Sequence, residues 1–403
     1  MIVLSGADVI LPTGVLCPGT VVIDDSRIVE VTAGARAADA GHRFFDLSGR
    51  YLVPGFIDVH VHGAEGIDTL DSGDPIGELS ARLARYGTTG FCPTSIACDP
   101  AALTRMLSGI RNWHTRQARG ARVLPAHLES NFISPEYKGA QPLECLRSPR
   151  GGGGAGEFTG SEILAVIAAF RPDVGIITVA PELDGAIALI GDLVRSGHHV
   201  SLGHSGATYE QAIAGIEAGA RQATHLFNRM PPVGHRAPGL AGAVLQHNGI
   251  SAEVVCDLVH VHPAMVKVAF AAKGSEHFMA ITDGTAGSGL PPGSTTTLGG
   301  RTITVGNAAY LADGTLGGSA ITMDRAFANL VQVIGVTLHE AAQVCATTPA
   351  RELGLHGLGM IAPGATADLA VLDRDFHVEQ TFVGGRLVFD ARDAAGCSPA
   401  QPG

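Results

Sequence analysis

From residue 55 to residue 283 the chain repeats one pattern. A short, mostly apolar run is followed by a stretch whose apolar positions fall three and four apart. The runs are GFIDVH (55–60), TGFCPTS (89–95), ARVLPAHLE (121–129), VGIITVAPE (174–182), HHVSLGH (198–204), ARQATHLF (220–227), SAEVVCDL (251–258) and HFMAITD (277–283). Near-continuous apolar runs of this length predict strands buried on both faces. The intervening stretches, such as 76–87, 184–197, 207–219, 262–274 and 319–335, predict amphipathic helices, with Pro263 suited to a first helical turn. Repeated strand–helix units imply a parallel sheet. Eight of them imply closure into a (β/α)₈ TIM barrel, an α/β fold.

The two ends read differently. Residues 1–50 are short strands broken by turns, with Asp24-Asp25-Ser26 as a hairpin tip. Similar texture returns in 367–390. This predicts a small flanking β-sandwich domain built from both termini, residues 1–50 and 359–392, around a barrel at 51–358, with a tail at 393–403. Two separate hairpins decorating the barrel are the alternative. Within 130–160, the run Gly151 to Gly154 suits a mobile loop over the barrel mouth, and the Gly- and Thr-rich 284–318 reads as an inserted hairpin.

Composition narrows the partners. The chain has 403 residues, 45% hydrophobic and 16% charged, which fits a globular protein. Its net charge of −11 argues against a nucleic-acid or anionic-membrane partner, yet a local pocket can still take an anionic small molecule. Seven cysteines without a CxxC spacing predict a reducing, cytoplasmic setting rather than a disulfide framework. Neither a signal peptide nor a membrane span is expected.

Chemistry-bearing residues gather where the runs end. His60 and His62 close the first, Glu129 the third, His204 the fifth, His225 the sixth and Asp283 the eighth. The C-terminal rim of a barrel is where catalytic groups collect. Strand residues two apart point the same way, so His60 and His62 can share one ion. A lone strand histidine is more often a satisfied core or surface residue, and a lone carboxylate a cap. Five strand ends carrying such groups together are hard to obtain by chance, and burying them unpaired is costly. The set predicts one or two divalent ions, with imidazole and carboxylate suiting zinc, iron or manganese better than calcium. Cys92 and Cys98 read as packing residues.

On these and further motifs the chain resembles the amidohydrolase superfamily, and within it the N-acetylglucosamine-6-phosphate deacetylases. The stretches are PGFIDVHVHG (54–63), HLES (127–130), KGA (138–140), SLGHSGAT (201–208), THLFNRMPP (224–232), APGLAGAVL (237–245), ITDG (281–284), LGGSAITMDRAFANLV (316–331), TTPARELGL (347–355) and APGATADLAVLD (362–373). The resemblance implies that Glu129, His204 and His225 hold the principal metal and that His60 and His62 support a second. It implies Asp283 as the catalytic aspartate, and a homodimer. Arg236 resembles a phosphate-binding arginine, and His260 a histidine reaching a neighbouring subunit's phosphate site. Asn228 matches a nearby contact, and Ala140 lies in the substrate loop.

Departures from the family pattern cluster at substrate positions. HLEGPF reads His127-Leu128-Glu129-Ser130-Asn131-Phe132, and KGAH ends in Gln141. GHSNAT has Gly206, LFNAM has Arg229, and DGxH reads Asp257-Leu258-Val259-His260. Either an amide N–H of Gln141 or a metal held by His60 and His62 is expected to polarise the reacting carbonyl. Arg229 is expected to add affinity for phosphate, to bind a different acid, or else to point to solvent. The expected reaction is metal-dependent removal of the N-acetyl group of an amino sugar, N-acetylglucosamine 6-phosphate or a close analogue. Hydrolysis of an N-acyl amino acid, a cyclic amide or a lactone is the alternative. A catalytically inactive binding barrel is another.

Overall fold

A computed structural model describes residues 1–38, 40–114, 120–150 and 157–395, with side chains to residue 393. The Gly151 to Gly154 stretch, expected as a loop over the mouth, lies outside the described residues, as does most of the expected tail.

The eight barrel strands are Phe56–Val61, Thr88–Ser95, the pair Arg122–Val123 and Ala126–Leu128, then Val174–Val179, His199–Leu202, Gln222–Ala223, Ser251–Val255 and Phe278–Ile281. Neighbours run parallel throughout. Closure comes from the Asp283 N–H donating to the His60 carbonyl at 2.9 Å and the His62 N–H to the Gly284 carbonyl at 2.7 Å. The third strand breaks at Leu124-Pro125, where proline supplies no N–H to a ladder. Strands five, six and eight stop short of the apolar runs that predict them. His204, His225 and Asp283 sit at φ +47°, +32° and +48°, a backbone that cannot continue the pleat.

Helices cover the barrel. Ala186–Arg195 turns Leu189, Ile190 and Leu193 onto the Val200 and Val179 side of the core. Fully burying each such side chain contributes about 1.5–3 kcal/mol. Gly160–Ala169 and Tyr209–Glu217 open with capping boxes, Thr159 with Glu162 and Thr208 with Gln211. Pro263 takes the first turn of Pro263–His277. The long helix Pro100–His114, which the sequence reading passes over, buries Leu103, Met106, Leu107 and Ile110 at the same three-and-four spacing.

The insert after the eighth strand is three-stranded, not a simple hairpin: Thr295–Leu298, Arg301–Val305 and Ala309–Leu311 pair antiparallel. Its first turn uses Gly299 and Gly300 at φ +54° and +80°. Leu298, Ile303 and Leu311 bury against Ile96, which seats the insert on the barrel rim.

Both termini build a second sheet. Its order is Arg386–Asp390, Val378–Val383, Leu369–Leu372, Tyr51–Pro54, Ile2–Leu11, Gly14–Asp24, Arg27–Ala33, with Arg43–Asp46 also paired to Ile2–Leu11. Asp25 turns the expected hairpin tip at φ +50°. Leu4, Val9, Val21, Leu52, Leu369 and Phe382 are among the residues of a core separate from the barrel's. Among the described residues, no helix is long and apolar enough to cross a membrane, and the cysteines are all unpaired.

Candidate metal centre and active site

Parallel strands in register bring their C-terminal ends to one rim, so the six predicted groups meet. Glu129 Oε1 lies 2.8 Å from both His204 Nε2 and His225 Nε2, which are 3.0 Å apart. His60 Nε2 and His62 Nε2 are 3.2 Å apart. Asp283 Oδ1 stands 3.4 Å from the first and 3.3 Å from the second. Glu129 Oε2 is 3.5 Å from His62 Nε2, so this one carboxylate touches both histidine sets. All six residues are buried.

Hydrogen bonding decides what this cluster can hold. His204 Nδ1 lies 2.8 Å from the Tyr137 carbonyl, which can only accept, so Nδ1 carries the proton. With Nδ1 so committed, Nε2 is the atom that faces the Glu129 carboxylate. His60 Nδ1 lies 2.9 Å from Glu253 Oε2, and with the carboxylate accepting there, Nε2 is left facing Asp283. Atoms this close need either protons or a metal ion between them, and two imidazoles with one carboxylate are ligands suited to a divalent transition metal. A third grouping, His60, His127 and Glu253, also clusters. It is not a site, because His127 Nδ1 donates to the Val59 carbonyl and Nε2 accepts from Thr178 Oγ1, each at 3.0 Å.

In the protein alone, with protons rather than a metal ion between these groups, burial and neighbouring charges set the balance. Burial opposes a charged Glu129, yet His204, His225 and His62 outweigh it and hold the carboxyl well below its ordinary range. Burial also opposes charge on His62, but bonds to Asp283 and Glu129 lift it to about 10. Fully enclosed His60 is instead pushed down to about 4 by burial. Burial pushes Asp58 and Glu253 each up to about 7, against the pull of hydrogen bonds from Thr282 on the first and of His127 and His225 on the second.

A cavity of about 460 Å³ opens above the cluster. His62, Glu129, His204, His225 and Asp283 line its floor, and Ala140, Gln141, Asn228, Arg229 and His260 its walls. Gln141 is oriented: its Oε1 accepts the Ala97 N–H at 2.7 Å, and its Nε2 donates to Glu129 Oε2. Asn228 donates to the His225 carbonyl at 3.2 Å. His260 donates from Nδ1 to Asp257 Oδ2 at 2.6 Å. Arg229, at φ +52°, lays its guanidinium where a side chain on Gly139 would stand. Arg236 is exposed and does not line this cavity.

Sequence reasoning missed several contributors. Glu253 and Asp58 look like ordinary strand residues in sequence, and only closure of the barrel brings them behind the histidines. Asp58 accepts from Thr282 Oγ1 at 2.5 Å and joins the first and eighth strands. Tyr137 was also passed over. A Cβ on Gly206 would stand 2.6 Å from its ring, so the ring occupies the space left by the GHSGAT departure, the one signal that could have pointed to it.

The amidohydrolase family profile matches residues 51–388. An N-acetylglucosamine-6-phosphate deacetylase of Lysinibacillus sphaericus is 34% identical over 84% of this chain and 86% of its own length. An N-acetylgalactosamine-6-phosphate deacetylase of Escherichia coli O157:H7 is 34% identical over 83% and 87%. Among solved structures, a mutant N-acetyl-D-glucosamine-6-phosphate deacetylase of Mycobacterium smegmatis, bound to N-acetyl-D-glucosamine-6-phosphate, superposes with a TM-score of 0.86 at 34% identity, covering 96% of this chain and 99% of that one. With the barrel, the flanking sheet and the rim constellation in place, the chain belongs to the amidohydrolase family, in the branch of the N-acetylglucosamine-6-phosphate deacetylases.

Proposed function

We propose that the chain removes the acetyl group from an N-acetyl hexosamine 6-phosphate, releasing acetate and the free amine. The observation that carries this is the position of Glu129 between two histidine sets, with Asp283 facing them across the cavity floor. Glu129, His204 and His225 would hold the principal ion, zinc in our reading. His60 and His62 would hold a second beside Asp283. Such an ion supplies a water ionised near neutral pH and a charge that polarises the carbonyl.

The chain's own residues do the rest. Asp283 accepts the proton of the attacking water as the new C–O bond forms. It returns that proton to the nitrogen as the C–N bond breaks. Gln141 spends one amide N–H on Glu129, and its other serves the carbonyl oxygen as negative charge develops. Asn228, His260 and Arg229 receive the sugar and its anionic group. Arg236 lies off its own cavity, so in this reading it serves a partner's site in a homodimer. Relatives named for gluco- and galacto-configured sugars are equally similar, so either epimer fits this proposal. A cytoplasmic location is part of the same reading.

Purified, metal-loaded protein assayed against N-acetylglucosamine and N-acetylgalactosamine, each with and without a 6-phosphate, tests it. Acetate release from a phosphorylated sugar is expected. Turnover of none of the four, with hydrolysis of an N-acyl amino acid or cyclic amide instead, overturns it.

A further inference from the structure

We infer that Glu253 is the positioning residue for the second ion: it fixes His60 in the tautomer and orientation that ion needs. The inference rests on the metal-centre reading above and assigns a role to a residue outside the ligand set. Glu253 lies on the seventh strand, in the barrel interior, with no solvent exposure. Its Oε2 lies 2.9 Å from His60 Nδ1, placed to accept that atom's N–H. This leaves His60 one course, to present Nε2 toward His62 and Asp283.

The four metal-facing histidines are not supported alike. His204 is held through Nδ1 by the Tyr137 carbonyl, whereas the Nδ1 atoms of His62 and His225 meet no hydrogen-bond partner. Among the described residues, Glu253 is therefore the one carboxylate oriented behind an imidazole of this cluster, and it stands behind the second set. The nearby His127 does not compete for it. His127 Nδ1 is 4.0 Å from Glu253 Oε1 and already gives its proton to the Val59 carbonyl. Among the described residues His60 is the one side chain hydrogen-bonded to this buried carboxylate, whose Oε1 binds no other. A carboxylate behind a metal-binding histidine fixes its tautomer and raises its basicity, and losing it typically weakens metal affinity 10- to 100-fold.

The test is metal titration of chelated protein by calorimetry, with zinc content by elemental analysis, on the parent, Glu253→Gln and Glu253→Ala. The parent is expected to bind two ions in separable steps. Glu253→Ala should weaken the second step by roughly 10- to 100-fold and leave the first unchanged. Glu253→Gln, whose amide oxygen can still accept from Nδ1, should fall between. Circular dichroism identifies any variant that fails to fold, and then Glu253→Gln alone decides. Unchanged second-step affinity in folded variants overturns the inference, as does equal weakening of both steps. A parent that binds no metal would instead sink the metal-centre reading itself.

Discussion

His204 donates from Nδ1 to the backbone carbonyl of Tyr137 at 2.8 Å. The same loop returns a bond, since the Ser134 N–H donates to the His204 carbonyl at 2.9 Å. A proposed metal ligand and the wall of the substrate cavity are thus one hydrogen-bonded unit. Tyr137 continues the contact by filling the space beside Gly206. Whatever fixes the His204 ring also fixes the cavity wall.

Metal content is the first consequence. Glu129→Gln, His204→Ala and His225→Ala should each lose the principal ion, while His60→Ala or His62→Ala should chiefly deplete the second. Elemental analysis of purified variants reads this directly. Full retention of metal in His225→Ala would show that the cluster does not hold the ion.

Proton transfer is the second. Asp283→Asn preserves shape and removes the base. Turnover should fall by at least the ~10²–10⁴-fold typical of a general acid–base group. Near-normal kcat in a folded, metal-loaded variant would move the proton shuttle elsewhere.

Recognition of the anionic group separates two arginines. Arg229 lines its own cavity and Arg236 does not. Losing a charge-assisted bond costs about 1.5–3 kcal/mol, roughly 10- to 150-fold in kcat/KM. Arg229→Ala should show such a loss on the phosphorylated sugar and little on the unphosphorylated one. Arg236→Ala should do the same only if the protein is a dimer, which light scattering on the same samples would establish. Equal losses on both sugars would remove the phosphate role from either residue.

A fourth expectation concerns stability. Lys273 is buried, donating to the Val244 carbonyl at 2.9 Å and the His247 carbonyl at 2.8 Å. Burial pushes its ammonium from 10.5 down to about 8. Between those two pH values the unfolded chain holds a proton that the folded protein has released. Stability from this group therefore rises with pH across that window and is flat below it. The melting temperature of the parent relative to Lys273→Met should climb between about pH 8 and pH 10.5. A constant difference across that range would mean an ordinary lysine.

Much of the site was legible because barrel geometry turns strand ends into neighbours. His60 and His62 share a face by strand period alone, and Glu129, His204, His225 and Asp283 mark the ends of their runs. What stayed hidden depends on closure or on local backbone. Glu253 touches His60 across 193 residues of sequence, a relation no periodicity carries. The stops at His204, His225 and Asp283 were overrun because their positive φ values fall on residues other than glycine. The third strand of the 284–318 insert was missed because Ala309–Leu311 is too short to show an alternation.

The terminal sheet has one further implication, concerning the order in which the chain is made. Tyr51–Pro54 pairs on one side with Ile2–Leu11 and on the other with Leu369–Leu372. A ribosome that has just released the first of these needs tens of seconds, at ~5–20 residues per second, to deliver the last. Through that interval the nascent protein carries an open strand edge beside apolar Leu52 and Val53, and such an edge is a template for a foreign strand. Chains cut before residue 369 keep the rim residues yet never cover that edge. They should collect in inclusion bodies rather than as soluble, metal-competent barrels.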